Sequence, residues 1–288
     1  MIEERQKKKY LTVKDHSVSG EFFDLLHNAD LDMLETVPRP SSENLPNYYK
    51  SEDYISHTDS KRNFFEKAYH LVRSFSLNQK LKLINSLNEK KGTLLDIGCG
   101  TGEFLNVCNN NGWDILGIEP DEGARAIANN KVGNSVFSSN ELNELKKESF
   151  DIITLWHVLE HLPNLEADLA IFKKLLKPEG VLIIAVPNFK SYDANYYKEF
   201  WAAFDVPRHL WHFSRTAISK LVSKKDMVVV KIKPMWFDAF YVSLLSEKHK
   251  NGKMNIFRAF WVAARSNVKA LSTKEASSLI YIIKKQKN

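Results

Sequence analysis

The chain has 288 residues, 43% of them apolar, a formal net charge of +6 and two cysteines, Cys99 and Cys108. That composition supports a packed core in one elaborated domain, and so few cysteines exclude a disulfide framework and fit a reducing, cytoplasmic setting. No apolar run approaches the ~18 residues of a membrane helix, the Lys-rich start lacks an apolar signal core, and the scattered or terminal lysines predict a solvated surface with no nucleic-acid partner.

Residues 1–60 show little periodicity and are interrupted by Pro38, Pro40 and Pro46, although Tyr48, Tyr49 and Tyr54 suggest a segment that packs on something. Residues 61–88 carry apolar spacing for one or two helices (Phe64, Phe65, Ala68, Leu71, Val72, then Leu81, Leu83, Ile84, Leu87) and read as a helical cap. From Thr93 the alternation is regular. Strands are predicted at 93–97, 114–118, 135–138, 150–155 and 181–186, with helices over 103–110, 121–130 and 165–176. The turn Lys177-Pro178-Glu179-Gly180 precedes the fifth of these strands. A helix over 214–224, a strand at 227–232, two aromatic-rich helical stretches at 236–248 and 254–270, and a last strand at 278–283 complete the chain. The strands are continuous apolar runs, as parallel strands covered on both faces are.

The central stretch is TLLDIGCGTGEFL, residues 93–105. Gly98, Gly100 and Gly102 permit positive φ and let a ligand approach the backbone, and the free N–H groups of the following helix would face it. The dinucleotide fingerprint is G-x-G-x-x-G, with a pyrophosphate on the helix N-terminus. Here the spacing is G-x-G-x-G, and Asp96 stands two residues ahead of the first glycine. A carboxylate there suits a ligand that carries an ammonium.

Asp96, Gly98, Gly100 and Gly102 match the DxGxGxG first motif of the class I S-adenosylmethionine-dependent methyltransferases, which the chain resembles. LLKPEGVLIIAVPN is a second segment typical of that family, and the resemblance spans residues 90–235 well and the ends loosely. It implies an α/β fold, a Rossmann-like, doubly wound, seven-stranded, mostly parallel sheet with an antiparallel last strand. To this are added an N-terminal lead-in and helical cap (1–90) and, within the cofactor-binding domain (91–288), a pocket segment (189–213) and a C-terminal helical insertion (236–270). The insertion would serve as a substrate cover or a dimer surface. S-adenosylmethionine is the implied cofactor and S-adenosylhomocysteine the product. Its expected contacts are Asp96, Gly98, Cys99, Gly100 and Gly102, with Trp156 and His157 at the end of the fourth strand. Glu119, followed by Pro120, ends the second strand some twenty residues past the loop, where an acid accepts hydrogen bonds from ribose hydroxyls. Ser139 and Asn140 stand where the family usually has an adenine-contacting acid. Several such methyltransferases begin with a zinc ribbon before a Tyr-rich stretch like YYKSEDYISH; with no cysteine before Cys99, this lead-in resembles a metal-free version.

HVLEH, residues 157–161, matches the inverted zincin signature H-x-x-E-H, which needs a helix and a third ligand. Here it leaves a strand and stops at Pro163. It is also similar to the E-x-x-E-H of methyltransferases of quinone biosynthesis and of small-RNA 3′ ends, with His157 in place of the first acid. Many family members carry EHL here without metal. None is therefore expected, and Glu160 and His161, with His209 or His212, are the residues that would hold one.

YKEFWAAFDVPRHLWHFS, residues 197–214, follows the fifth strand, at the open end of the sheet where ligands of such folds sit. DVPRHLWHF resembles a segment of bacterial methyltransferases of secondary and surface-glycan metabolism. Trp201, Arg208, Trp211 and Tyr54 are candidate substrate contacts. Histidine suits proton removal from a hydroxyl near neutral pH, so His209 is the candidate catalytic base, with His157 and His212 as alternates. The expected function is methyl transfer to a small-molecule acceptor, at oxygen, with a homodimer left open. Two other readings stay open: a non-catalytic S-adenosylmethionine-binding protein, and an HxxEH metal-dependent hydrolase.

Overall fold

The computed structural model describes residues 7–41, 43–49, 64–88 and 90–286, so Tyr54 lies outside the described residues. Where the sequence shows little periodicity, the chain forms three antiparallel strands, β1 (Lys8–Lys14), β2 (Phe22–Asn28) and β3 (Met33–Val37). All three are short, and on β1 and β2 single inward residues such as Val13, Phe23 and Leu25 carry the packing and leave almost no pattern in sequence. Asp15 closes the β1–β2 turn, its carboxylate accepting from the N–H groups of Ser17 and Ser19 at 2.9 Å.

The region read as one or two helices is a single helix, α1 (Phe64–Leu87), which lays Leu83 and Ile84 against Leu94, Phe104 and Trp113. The parallel strands follow: β4 (Thr93–Ile97), β5 (Asp114–Ile118), β6 (Val136–Phe137), β7 (Phe150–Trp156) and β8 (Leu176–Pro187). Between them run α2 (Glu103–Asn109), α3 (Glu122–Val132) and α4 (Leu165–Leu175). The Lys-Pro-Glu-Gly turn is absorbed into β8 as a protrusion. Phe150 pairs with Leu176 but Ile152 already pairs with Val181, which leaves 177–180 outside the ladder.

After β8 come α5 (Tyr192–Tyr197), the two-residue strand β9 (Trp211–His212), α6 (Arg215–Ser223) and β10 (Met227–Pro234). Two helices, α7 (Asp238–Asn251) and α8 (Ile256–Thr273), precede the last strand, β11 (Ser278–Lys285). The large sheet has the order β10-β11-β8-β7-β4-β5-β6, and β11 runs antiparallel to both neighbours. The expected seven-stranded architecture with an antiparallel last strand is the one observed. Apolar side chains cover both faces. Leu95, Ile153 and Ile184 meet α4 and α6 on one side, and Leu94, Ile152 and Ile183 meet α1 and α2 on the other.

The small sheet does not stand apart. β9 adds to its edge, pairing Leu34 with His212 and Glu35 with Trp211. Val13, Phe23, Leu25 and Leu34 share a third core with Tyr197, Trp201, Phe204 and Val262. The N-terminal strands thus clamp the segment that follows β8.

Candidate active site

β4 delivers the chain into the glycine loop, where Gly98, Gly100 and Gly102 all have left-handed φ of 66°, 56° and 76°. Gly98 and Cys99 donate their N–H groups to the carbonyl of Ile118 at 2.7 and 3.2 Å, which anchors the loop to β5. A Cβ on Gly98 would lie 2.5 Å from the Val158 side chain, whereas one on Gly100 would meet nothing within 4 Å. The loop is therefore packed against HVLEH on one side and opens a backbone-lined cradle at Gly100.

Asp96 is buried beneath this loop and accepts a 2.6 Å hydrogen bond from the Thr154 hydroxyl. Burial pushes its carboxyl up to about 7, against the pull of Thr154 and the nearby Lys80 ammonium. Glu119 accepts from the Gly100 N–H at 2.8 Å and from the Asp121 N–H at 2.9 Å, and burial raises its pKa. Pro120, beside it, is exposed and gives its carbonyl to Arg125 at 3.1 Å. The Cys99 thiol is held in its neutral form by burial and by the charges of Asp96 and Glu119. Trp156 stands edge-on to Phe104 at 5.5 Å, with the Lys80 ammonium 4.5 Å from its ring centre. Its buried indole N–H has no hydrogen-bond partner. The open backbone at Gly100, the buried carboxylates of Asp96 and Glu119, and an orphan indole donor fit a cofactor bearing an ammonium and a ribose.

The neighbouring strand, β7, is followed by a left-handed non-glycine residue, His157, with φ 58°. Its Nε2 lies 3.0 Å from Asp238 of α7 and its Nδ1 3.6 Å from Glu160. Burial disfavours the imidazolium, but the two carboxylates outweigh it and raise His157 to about 10. Both ring nitrogens of His157, the alternate base expected from sequence, are therefore faced by carboxylates. Glu160 is buried, and neither of its oxygens accepts a hydrogen bond. Burial penalises its charge, yet the surrounding imidazoles hold it below the ordinary carboxylate range.

Two of those imidazoles are fixed from behind. His209 Nδ1 lies 2.9 Å from the Ala203 carbonyl and His161 Nδ1 3.0 Å from the Arg208 carbonyl. A carbonyl only accepts, so in each ring Nδ1 carries the proton and the neutral form leaves Nε2 bare. Burial, which disfavours the imidazolium, lowers His161 to about 4. One donor atom each from Glu160, His161 and His209 lies within 4.8 Å of the others, the one such group among the described residues.

The other expected residues are already engaged. His212 is buried, with Nε2 3.0 Å from the Thr36 hydroxyl and a pKa lowered well below the usual range by desolvation, which places it in the seam with the small sheet rather than in the open site. Trp201 is 2% exposed and donates its indole N–H to Asp193 at 2.8 Å, so it offers no face to a substrate. Arg208 is also buried. It donates to both oxygens of Asp205 at 2.6 and 3.0 Å, to Asp15 at 3.1 Å and to the Tyr48 carbonyl at 2.9 Å. This is a structural tie, not a substrate contact. Trp211 donates to the Leu162 carbonyl and carries the Arg39 guanidinium 3.7 Å from its ring centre.

Sequence reasoning missed Lys80, Thr154, Asp238 and Tyr49, whose hydroxyl lies 3.0 Å from His161 Nδ1. Thr154 stands on β7 beside Asp96, whereas Lys80, Asp238 and Tyr49 reach the site from remote elements, and only the partial polar signal of a Tyr pair before residue 50 pointed to any of them.

A profile described as methyltransferase domain matches residues 66–232. A ubiquinone biosynthesis O-methyltransferase from Photobacterium profundum is 29% identical over 135 residues, covering 44% of this chain and 57% of that protein. One of the same name from Actinobacillus pleuropneumoniae is 31% identical over 133 residues, 42% of this chain and 56% of its own length. The chain thus spans just over half the length of these curated relatives. Among solved structures, a magnesium protoporphyrin IX methyltransferase from Synechocystis with bound SAH superposes with a TM-score of 0.56 at 16% identity, over 85% of this chain and 100% of that one. A SAM-dependent methyltransferase from Thermotoga maritima gives 0.55 at 20% identity, over 83% and 99%. Both share the fold described above.

Proposed function

The chain belongs to the methyltransferase domain family, of the class I S-adenosylmethionine-dependent type, and we propose that it methylates a hydroxyl of a small-molecule acceptor. The observations that carry this reading are the open backbone at Gly100 and the His209 imidazole held through Nδ1 by the Ala203 carbonyl, on loops that leave β4 and β8 at the same end of one sheet. S-adenosylmethionine, when bound, supplies an electrophilic methyl group on a sulfonium.

The chain's own residues divide the remaining work. Gly98 to Gly102 offer backbone N–H groups and close approach, and Glu119 accepts from ribose hydroxyls. Asp96 would receive the cofactor's ammonium, and Lys80, over the Trp156 ring, would pair with its carboxylate. His209 Nε2 takes the acceptor's proton, and the Ala203 carbonyl holds the ring in the tautomer this needs. The imidazolium of His157 offsets the buried charge of Glu160, which steadies the imidazolium formed on His209. The names of the curated relatives support oxygen as the methylated atom.

A second reading rests on Glu160. A buried carboxylate without a hydrogen bond, facing two imidazoles that are each backed by a backbone carbonyl, is also the donor set of a divalent cation. The cation would then orient the acceptor oxygen and lower its pKa.

Calorimetric titration with S-adenosylhomocysteine and turnover of His209→Ala test both readings. The first reading expects tight binding unchanged by the substitution, with turnover falling about 100-fold or more. Unchanged turnover would remove His209 from the reaction. Activity lost in chelator and restored by one ion favours the second reading; activity indifferent to chelator rules it out.

A further inference from the structure

The inserted helix pair presents an inverted surface. On α8 the buried positions are Ala259, Val262, Ala263, Ser266 and Ala270, all small or medium in size. The large side chains point outward: Phe257 is 90% exposed, with Phe260, Trp261, Val268 and Leu271 at 51–65%. A surface helix ordinarily turns such residues into the core. Here the inner face is used up by close packing, with Ala239, Ser243 and Ser246 buried on α7.

The charges around this face have one sign. Residues 236–274 hold seven Lys or Arg and two acids, Asp238 and Glu247. Both acids are turned inward: Asp238 pairs with His157, and Glu247 is buried and accepts from Tyr197 and Asn251. The outer face therefore carries aromatic and aliphatic groups, and the charged side chains that the helix pair itself exposes beside them are cations, including Lys253, Arg258, Arg265 and Lys269. Where the helices meet, a cleft of about 440 Å³ is lined by Lys253, Met254, Ile256, Phe257 and Arg258, combining two cations with apolar walls.

We infer that the α7–α8 pair docks on an anionic lipid surface, with the aromatic face entering the headgroup boundary and the bordering cations meeting the lipid charges. A second copy of the chain is the weaker occupant. In a two-fold contact the same patch faces itself, which would bring Arg258 and Lys269 against like charges. Lipid docking also has a bearing on the site, because α7 starts at Asp238, in contact with His157. The docked face is joined directly to the active centre.

The test uses the full chain with vesicles of phosphatidylcholine, alone or with phosphatidylglycerol, followed by sedimentation and tryptophan fluorescence. Binding is expected to be about tenfold tighter or more on the anionic vesicles and to weaken as salt rises. Phe257→Ser, at a side chain that supports no core, should weaken it about tenfold while leaving the melting temperature unchanged. Arg258→Gln with Lys269→Gln should remove most of the preference for the anionic lipid. Equal or absent sedimentation with both vesicle types, from folded wild-type protein, would overturn the inference. So would a dimeric mass in light scattering that Phe257→Ser converts to monomer, with no vesicle binding.

Discussion

The glycine loop and the segment from Asn188 to Phe213 meet at the same end of the sheet, yet they are held there differently. The loop is positioned by its own strand: β4 pairs with β5 and β7 on either side, and Gly98 and Cys99 bond the carbonyl that ends β5. Its geometry comes from residues a few positions apart and from a ladder of local register. The later segment carries only short elements, α5 and β9 among them. It relies on β9 joining β3, on Trp201 and Phe204 entering the N-terminal core, and on one arginine that ties three parts of the chain. The loop thus rests on local strand pairing, and the segment from Asn188 to Phe213 rests on contacts with remote parts of the chain.

That contrast can be broken at its weakest joint. Arg208→Ala removes the cation that Asp15 and Asp205 share and leaves two carboxylates uncompensated in the seam. A loss of about 3–5 kcal/mol is expected in urea denaturation. S-adenosylhomocysteine affinity should hold within about twofold, because the loop does not depend on the seam. A loss below about 1 kcal/mol would mean that the pair acts like an exposed one.

Asp96→Asn probes the floor of the glycine loop and should separate stability from binding. The folded carboxyl titrates at about 7, against an ordinary value of 3.8, so the folded protein holds the extra proton between those limits. Stability therefore falls as pH rises from about 4 to 7, and the full cost of the buried charge is present at pH 8. The variant should be more stable than wild type at pH 8 by about 2–4 kcal/mol, with the difference vanishing near pH 4. Its cofactor affinity should drop. Equal stability at both pH values would refute the buried-charge account.

Gly100→Ala is the mildest change. It meets no neighbour, so the cost to the fold is the left-handed backbone alone, about 1–2 kcal/mol. Its new methyl stands in the cradle, and binding of S-adenosylhomocysteine should weaken more than the fold does. Unaltered binding would mean that the cofactor does not pass over Gly100.

The strands of the large sheet could be read from the chain because each is a continuous apolar run closed by a turn signal, and β4 and β5 begin and end as expected. The DxGxGxG spacing likewise carries its own geometry, since glycine is the residue type that takes left-handed φ without strain. The small sheet was not legible. Its strands alternate weakly, and their partners are β9 and the aromatic segment some 170 residues later. The same distance explains why the partners of the expected substrate contacts could not be read from sequence. Trp201 and Arg208 have the chemistry of a pocket, but whether an indole or a guanidinium faces a ligand depends on what else comes near. Here Asp193, Asp15 and Tyr48 came first. His157 was legible as a histidine at the right junction, and its charge was not, because Asp238 arrives on a helix from the far end of the sheet. Sequence by itself determined the strands of the large sheet and the glycine loop, through local periodicity and glycine conformation. Tertiary structure alone decided which polar side chains are spent on holding the fold and which remain available for chemistry, because burial and long-range pairing set their charge and their access.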